Sequence, residues 1–190
     1  MMVMKDLNGS RPIQVVLYTH EHALSTLKPL NSPTSPHKTM IMARNYKQGQ
    51  FKPKNPGKYI GDPTKIIFRS SWESKTMRKL DESSSVLGWN SEEVVIPYIS
   101  PVDGRAHRYF VDFLVVAKNP SGDKVITLIE VKPYEQTMAP RMTATKKKER
   151  YMNEIATWAV NQAKWEAATA YCAKRGWTFK ILTEKDINFV

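Results

Sequence analysis

The chain has 190 residues, with 29 Lys+Arg against 18 Asp+Glu for a net charge of +11. That length suits one ordinary domain, and 41% hydrophobic residues with five Trp, eight Tyr and six Phe supply a core, so wholesale disorder is excluded. The single cysteine, Cys172, excludes a disulfide framework and any multi-cysteine metal site, and no apolar run approaches the roughly 20 residues of a membrane helix.

Residues 1–41 read as a poorly ordered extension, because Leu30–Thr39 is rich in Pro, Ser and Thr and breaks all periodicity. A strand-like run, Pro12–Tyr18, precedes it; a translation start at Met40 or Met42 is the alternative account of this leader. Charges at Lys5, Asp6 and Arg11 argue against a signal peptide. His20 and His22 fall in the extension and read as incidental rather than as metal ligands. Residues 42–63 read as a basic extended arm, with Lys47, Lys52, Lys54 and Lys58 interleaved with Tyr46, Phe51 and Tyr59. Residues 64–190 then hold the folded domain.

Ser70 or Ser71 caps a predicted helix over Trp72–Leu80, with Glu73 in its first turn and Trp72, Thr76, Met77 and Leu80 on one side. Three strands are predicted next, Val94–Ile99, His107–Ala117 and Val125–Val131, separated by the turn signals Pro101–Gly104 and Asn119–Gly122. A long amphipathic helix follows over Lys148–Lys174, with Ile155, Trp158, Ala159, Gln162, Trp165 and Thr169 on its stripe. Gly176 terminates it, and Trp177–Leu182 alternates like a final strand. The fold class is α/β, in the order helix, three strands, helix, strand.

The informative cluster is Asp112, Glu130 and Lys132, each interrupting an otherwise apolar strand. Residues two apart on a strand share a face, so Glu130 and Lys132 point the same way, and Asp112 joins them if its strand is a hairpin neighbour. Desolvating a carboxylate costs several kcal/mol unless it is paired or bound to metal. Two close carboxylates suit a hard divalent cation such as Mg²⁺, and an adjacent ammonium can orient water and offset charge at phosphorus. Two readings therefore fit these residues: metal-assisted phosphodiester hydrolysis, or an ion pair at a strand edge.

The element order, with Glu73 in Arg-Ser-Ser-Trp-Glu, Asp112 in Phe-Val-Asp-Phe and Glu130-Val-Lys132, resembles the PD-(D/E)XK nuclease superfamily. Lys58-Tyr-Ile-Gly-Asp-Pro, Ile96–Gly104, His107–Phe113, Leu128–Pro133, Asn161–Trp165 and Phe179–Glu184 resemble, within it, the head completion nucleases of T-even-like tailed phages. The resemblance spans about Met42 to Asn188. It implies a restriction endonuclease-like core, order α-β-β-β-α-β, with a mixed sheet flanked by helices. It also implies Asp112 and Glu130 as metal ligands (with the Val131 carbonyl as a further candidate), Lys132 as the catalytic lysine and Glu73 as a helix-borne acidic residue at the metal. The superfamily's proline–aspartate pair is Val111-Asp112 here, a common departure.

The function so implied is a Mg²⁺-dependent endodeoxyribonuclease, with Mn²⁺ as a substitute, that finishes DNA-filled capsids before tail attachment. Its partners are double-stranded DNA and phage head or portal proteins, with no membrane and no small-molecule cofactor. Its place is the host cytoplasm during assembly, with virion association as a further expectation. The alternatives are a non-catalytic DNA-gripping head or portal plug, and a repair or transposition nuclease of the same superfamily. Arg69, Arg108, Lys146, Lys147, Lys148 and Arg150 are candidate DNA contacts, with Lys75 and Arg78 nearby; a solvated surface explains each equally well. Gln162 is a candidate supporting residue, with a satisfied core glutamine as the blander account. His107 reads as structural, Cys172 lacks a catalytic partner, and Trp158, Trp165 and Trp177 read as core.

Overall fold

The computed structural model describes residues 48–187. The expected Pro12–Tyr18 strand, the 1–41 extension, and His20 and His22 within it lie outside them. The described chain runs β1 (Gly49–Gln50), a 3-10 turn (Pro56–Lys58), β2 (Ile67–Phe68), α1 (Ser71–Glu82), β3 (Val86–Ser91), β4 (Val95–Ile99), β5 (Ala106–Phe110), β6 (Phe113–Lys118), β7 (Lys124–Val131), α2 (Tyr134–Thr137), α3 (Lys148–Ala173), β8 (Thr178–Leu182) and α4 (Glu184–Ile187).

The central sheet has the order β3-β6-β7-β8. β3, β6 and β7 are antiparallel neighbours, and β8 lies parallel to β7 after the α3 crossover. With α1 ahead of β3, this is a mixed sheet flanked by helices in the expected α-β-β-β-α-β order. The identity of its first strand differs from expectation. The predicted strand Val94–Ile99 does form, as β4, but outside the central sheet: it pairs with β5 in a separate two-stranded hairpin. The first strand is instead Val86–Ser91, whose Gly88, Trp89 and Asn90 are buried in succession while Leu87 is exposed, so no alternation marks it. The predicted strand His107–Ala117 is two strands, and Val111-Asp112 is the joint where the chain passes from hairpin to sheet.

Residues 48–63 do not form an extended arm. Phe51 and Tyr59 are buried against Trp89, ring centroids 5.8 and 4.9 Å away in edge-on geometry. Ile60 N donates to Trp89 O at 2.8 Å, and Gly88 permits the approach: a Cβ there would meet Ile60 Cδ1 at 3.0 Å. The segment is pinned by Asp81, 1% exposed, whose carboxylate accepts from Lys54 N at 2.7 Å and Asn55 N at 3.2 Å. The Lys58 ammonium donates to the Asp81 and Ser83 carbonyls.

α1 forms as its cap predicts. Ser70 Oγ accepts from Glu73 N at 3.1 Å, and Thr76 and Met77 are buried on the face that also carries Trp72 and Leu80. α3 buries Asn161, Trp165, Ala168 and Cys172. Its inward stripe is therefore rotated from the one the sequence suggests: Trp165 is common to both, while Thr169 is exposed and Gln162 is only half-buried at its edge. Gly176, at φ 66°, turns the chain into β8, with Trp177 N donating to Cys172 O at 2.9 Å.

Candidate active site

β7 enters from solvent at Lys124 and ends with Leu128–Val131 buried between β6 and β8. That gradient carries Glu130 into the interior, where it is 3% exposed. Both of its oxygens are held. Oε1 lies 2.8 Å from Lys132 Nζ, and Oε2 accepts from the Tyr109 hydroxyl at 2.6 Å. The shared strand face expected of Glu130 and Lys132 is thus observed, and Lys132 N extends the ladder by donating to Leu182 O at 2.9 Å.

Asp112 immediately precedes β6, whose Phe113 pairs with Ile129 of β7. This register sets Asp112 beside Glu130, and Asp112 Oδ2 accepts from Val131 N at 2.7 Å. Burial, then the charge of Glu130, push the Asp112 carboxyl up to about 8, against the pull of the Val131 amide and Lys132. The Lys132 ammonium is pulled down by burial, but the charge and hydrogen bond of Glu130, with Asp112 and Glu73 behind, outweigh this and raise it. Lys132 therefore carries its proton at neutral pH. Burial, then the charge of Glu130, also raise the Tyr109 phenol, which stays a donor.

Glu73 stands to one side. Its Oε1 accepts from Ser70 Oγ and its Oε2 from Arg69 N, each at 2.8 Å, so it ties the start of α1 to the N-cap hydroxyl and to the residue before the cap. It is near enough for its charge to act on Asp112 and Lys132. Among the described residues, no three His, Cys, Asp or Glu side chains gather into one metal-holding group. The donor set is thus two carboxylates, Asp112 and Glu130, the second paired with Lys132 and the first pushed by its surroundings toward its protonated form. This fits Mg²⁺, which keeps several waters and takes few protein ligands.

The candidate DNA contacts scatter. Arg69 is paired with Glu92, a residue at φ 59° whose N donates to Asp112 O. Arg108 is exposed and stacks on Phe110 at 4.9 Å. Lys146 and Arg150 both pair with Glu154, whereas Lys147 and Lys148 are exposed. His107 of β5 bonds Asp103 of the β4–β5 turn at 2.8 Å. Sequence reasoning missed Tyr109, which reads as an ordinary strand aromatic, and Lys164 of α3, which sits over the Tyr98 and Tyr109 rings.

The model of the TnsA-like endonuclease N-terminal family matches residues 83–184, and the chain belongs to this family. That span runs from β3 to β8 and contains Asp112, Glu130 and Lys132. The chain is thus a nuclease on a restriction endonuclease-like core. It is similar, at 45% identity over 143 residues, to the "Head completion nuclease" of Enterobacteria phage T4, an alignment covering 74% of this chain and 93% of that protein. Among the described residues, no helix is long and apolar enough to cross a membrane.

Proposed function

We propose that the chain is a Mg²⁺-dependent endodeoxyribonuclease that cleaves double-stranded DNA in the completion of phage heads, with Mn²⁺ able to substitute. The observation that carries this reading is Glu130: a buried carboxylate one strand from Asp112, with a protonated lysine on one oxygen. Asp112 and Glu130 would hold the ion, which when bound supplies Lewis acidity to a phosphoryl oxygen and acidity to a water. Lys132, as a cation, orients the attacking water and offsets the charge that develops at phosphorus. The Val131 amide fixes Asp112, and Tyr109 fixes Glu130, so neither carboxylate must reorganise during the reaction. Glu73 adds negative potential from the start of α1.

The head-completion role and the setting in host cytoplasm during assembly are supported by the name and extent of the T4 relative, and head or portal proteins are the partners that role would require. The rival is a plug that grips DNA without cutting it. Phage assembled with Lys132→Ala protein separates the two: an enzyme's variant enters particles that then fail to mature, whereas a plug's variant yields normal particles.

A further inference from the structure

Lys164 occupies a position where the fold would ordinarily place an apolar residue. It lies three residues after Asn161 and four before Ala168, both buried, on the inward side of α3. It is half-buried there. Its ammonium rests over two aromatic faces of the β4–β5 hairpin, 5.7 Å from the Tyr98 centroid and 5.6 Å from that of Tyr109. Among the described residues it forms no ion pair, unlike Lys132 and Lys146.

A lysine held in this way has lost water without gaining an acceptor. Burial, then the like charge of Lys132, pull it down, and Glu130 and Asp112 offset only part of this. The tyrosine faces supply direction rather than neutralisation. Through Tyr109, whose hydroxyl holds Glu130, Lys164 is one side chain removed from the proposed catalytic carboxylate. A phosphate oxygen would provide both the charge and the acceptor that Lys164 lacks.

We propose that Lys164 is a substrate-binding residue: with Tyr98 and Tyr109 as its seat, it grips a phosphate of the DNA strand beside the carboxylate pair. This rests on the nuclease reading for its substrate but not for its test. Lys164→Met keeps the aliphatic stem over the rings and removes the charge. Lys164→Arg keeps a cation that can still stack and grip.

Binding of the full chain to a fluorescent DNA duplex is followed by anisotropy in EDTA across a salt series, with folding of each variant checked by thermal melting. Loss of one phosphate contact lowers the slope of log affinity against log salt by about 0.9, which weakens binding about eight-fold at about 0.1 M salt. Lys164→Met should show that loss and Lys164→Arg should restore most of it. Unchanged affinity and slope in a folded Lys164→Met protein would overturn the proposal while leaving the nuclease reading intact. Conversely, if wild-type protein never cuts DNA yet Lys164→Met loses the contact, the grip stands and the catalytic reading falls.

Discussion

The Tyr109 hydroxyl donates to Glu130 Oε2 at 2.6 Å, and each residue is only 3% exposed. The bond joins the β4–β5 hairpin to the central sheet at the point where the sheet carries its buried charge. Tyr109→Phe keeps the ring that seats Lys164 and removes the donor alone. A hydrogen bond to a charged group contributes about 1.5–3 kcal/mol, and the variant should lose a stability of that order in urea unfolding. A midpoint unchanged from wild type would mean that Glu130 does not depend on this hydroxyl.

Asp112 makes the metal-free protein pH-sensitive. Its carboxyl is raised from 3.8 to about 8 by burial and then by Glu130, so between those values the folded state holds a proton that the unfolded chain has released. Its contribution to stability is therefore fully present below the lower value and is lost as pH rises through the upper one. In EDTA, thermal stability should fall across this window, and Asp112→Asn should flatten the fall. Holding a cation requires the same proton to leave, so Mg²⁺ should stabilise the protein more at about pH 9 than at about pH 6. A Mg²⁺ effect independent of pH would contradict this.

Glu73 has two separable tasks. Its carboxylate accepts from Ser70 and Arg69 at the start of α1, and its charge acts on Asp112 and Lys132. Glu73→Gln retains an acceptor and a donor at the cap, so stability should change by less than about 1 kcal/mol while cleavage falls. Full cleavage in this variant would confine Glu73 to the helix cap.

Asp81 tests whether residues 48–63 are structural. Asp81→Ala removes the acceptor of Lys54 N and Asn55 N, leaving both amides to find other partners. The expected loss is about 1–3 kcal/mol by denaturant unfolding, because both amides are only part-buried and water can take over some of what the carboxylate accepted. A loss below about 0.5 kcal/mol would show that the segment is dispensable.

The order of elements and the Asp112, Glu130 and Lys132 cluster are legible in the sequence because charges inside apolar strands stand out. β3 is not, because Gly88, Trp89 and Asn90 are buried in succession while Leu87 is exposed, so no alternation survives, and Gly88 and Asn90 read as turn residues. The joint at Val111-Asp112 is hidden for a different reason: Tyr109, Phe110 and Val111 before it and Phe113 to Val116 after it make one apolar run in the sequence, although Phe110 is 44% exposed and the chain changes sheet within it. The packing of Phe51 and Tyr59 on Trp89 depends on Asp81, thirty residues downstream of Phe51, and no local pattern reports that bond. Lys164 is concealed because one lysine on an amphipathic helix reads as solvated until the helix is rotated by its true neighbours.

The most direct test is cleavage of duplex DNA by purified protein, in Mg²⁺ and in EDTA, comparing wild type with folded Glu130→Ala and Lys132→Ala. The account predicts cleavage by wild type only when the cation is present, and loss by at least about a hundred-fold in each variant. Cutting that persists in EDTA, or that survives both substitutions, would contradict it.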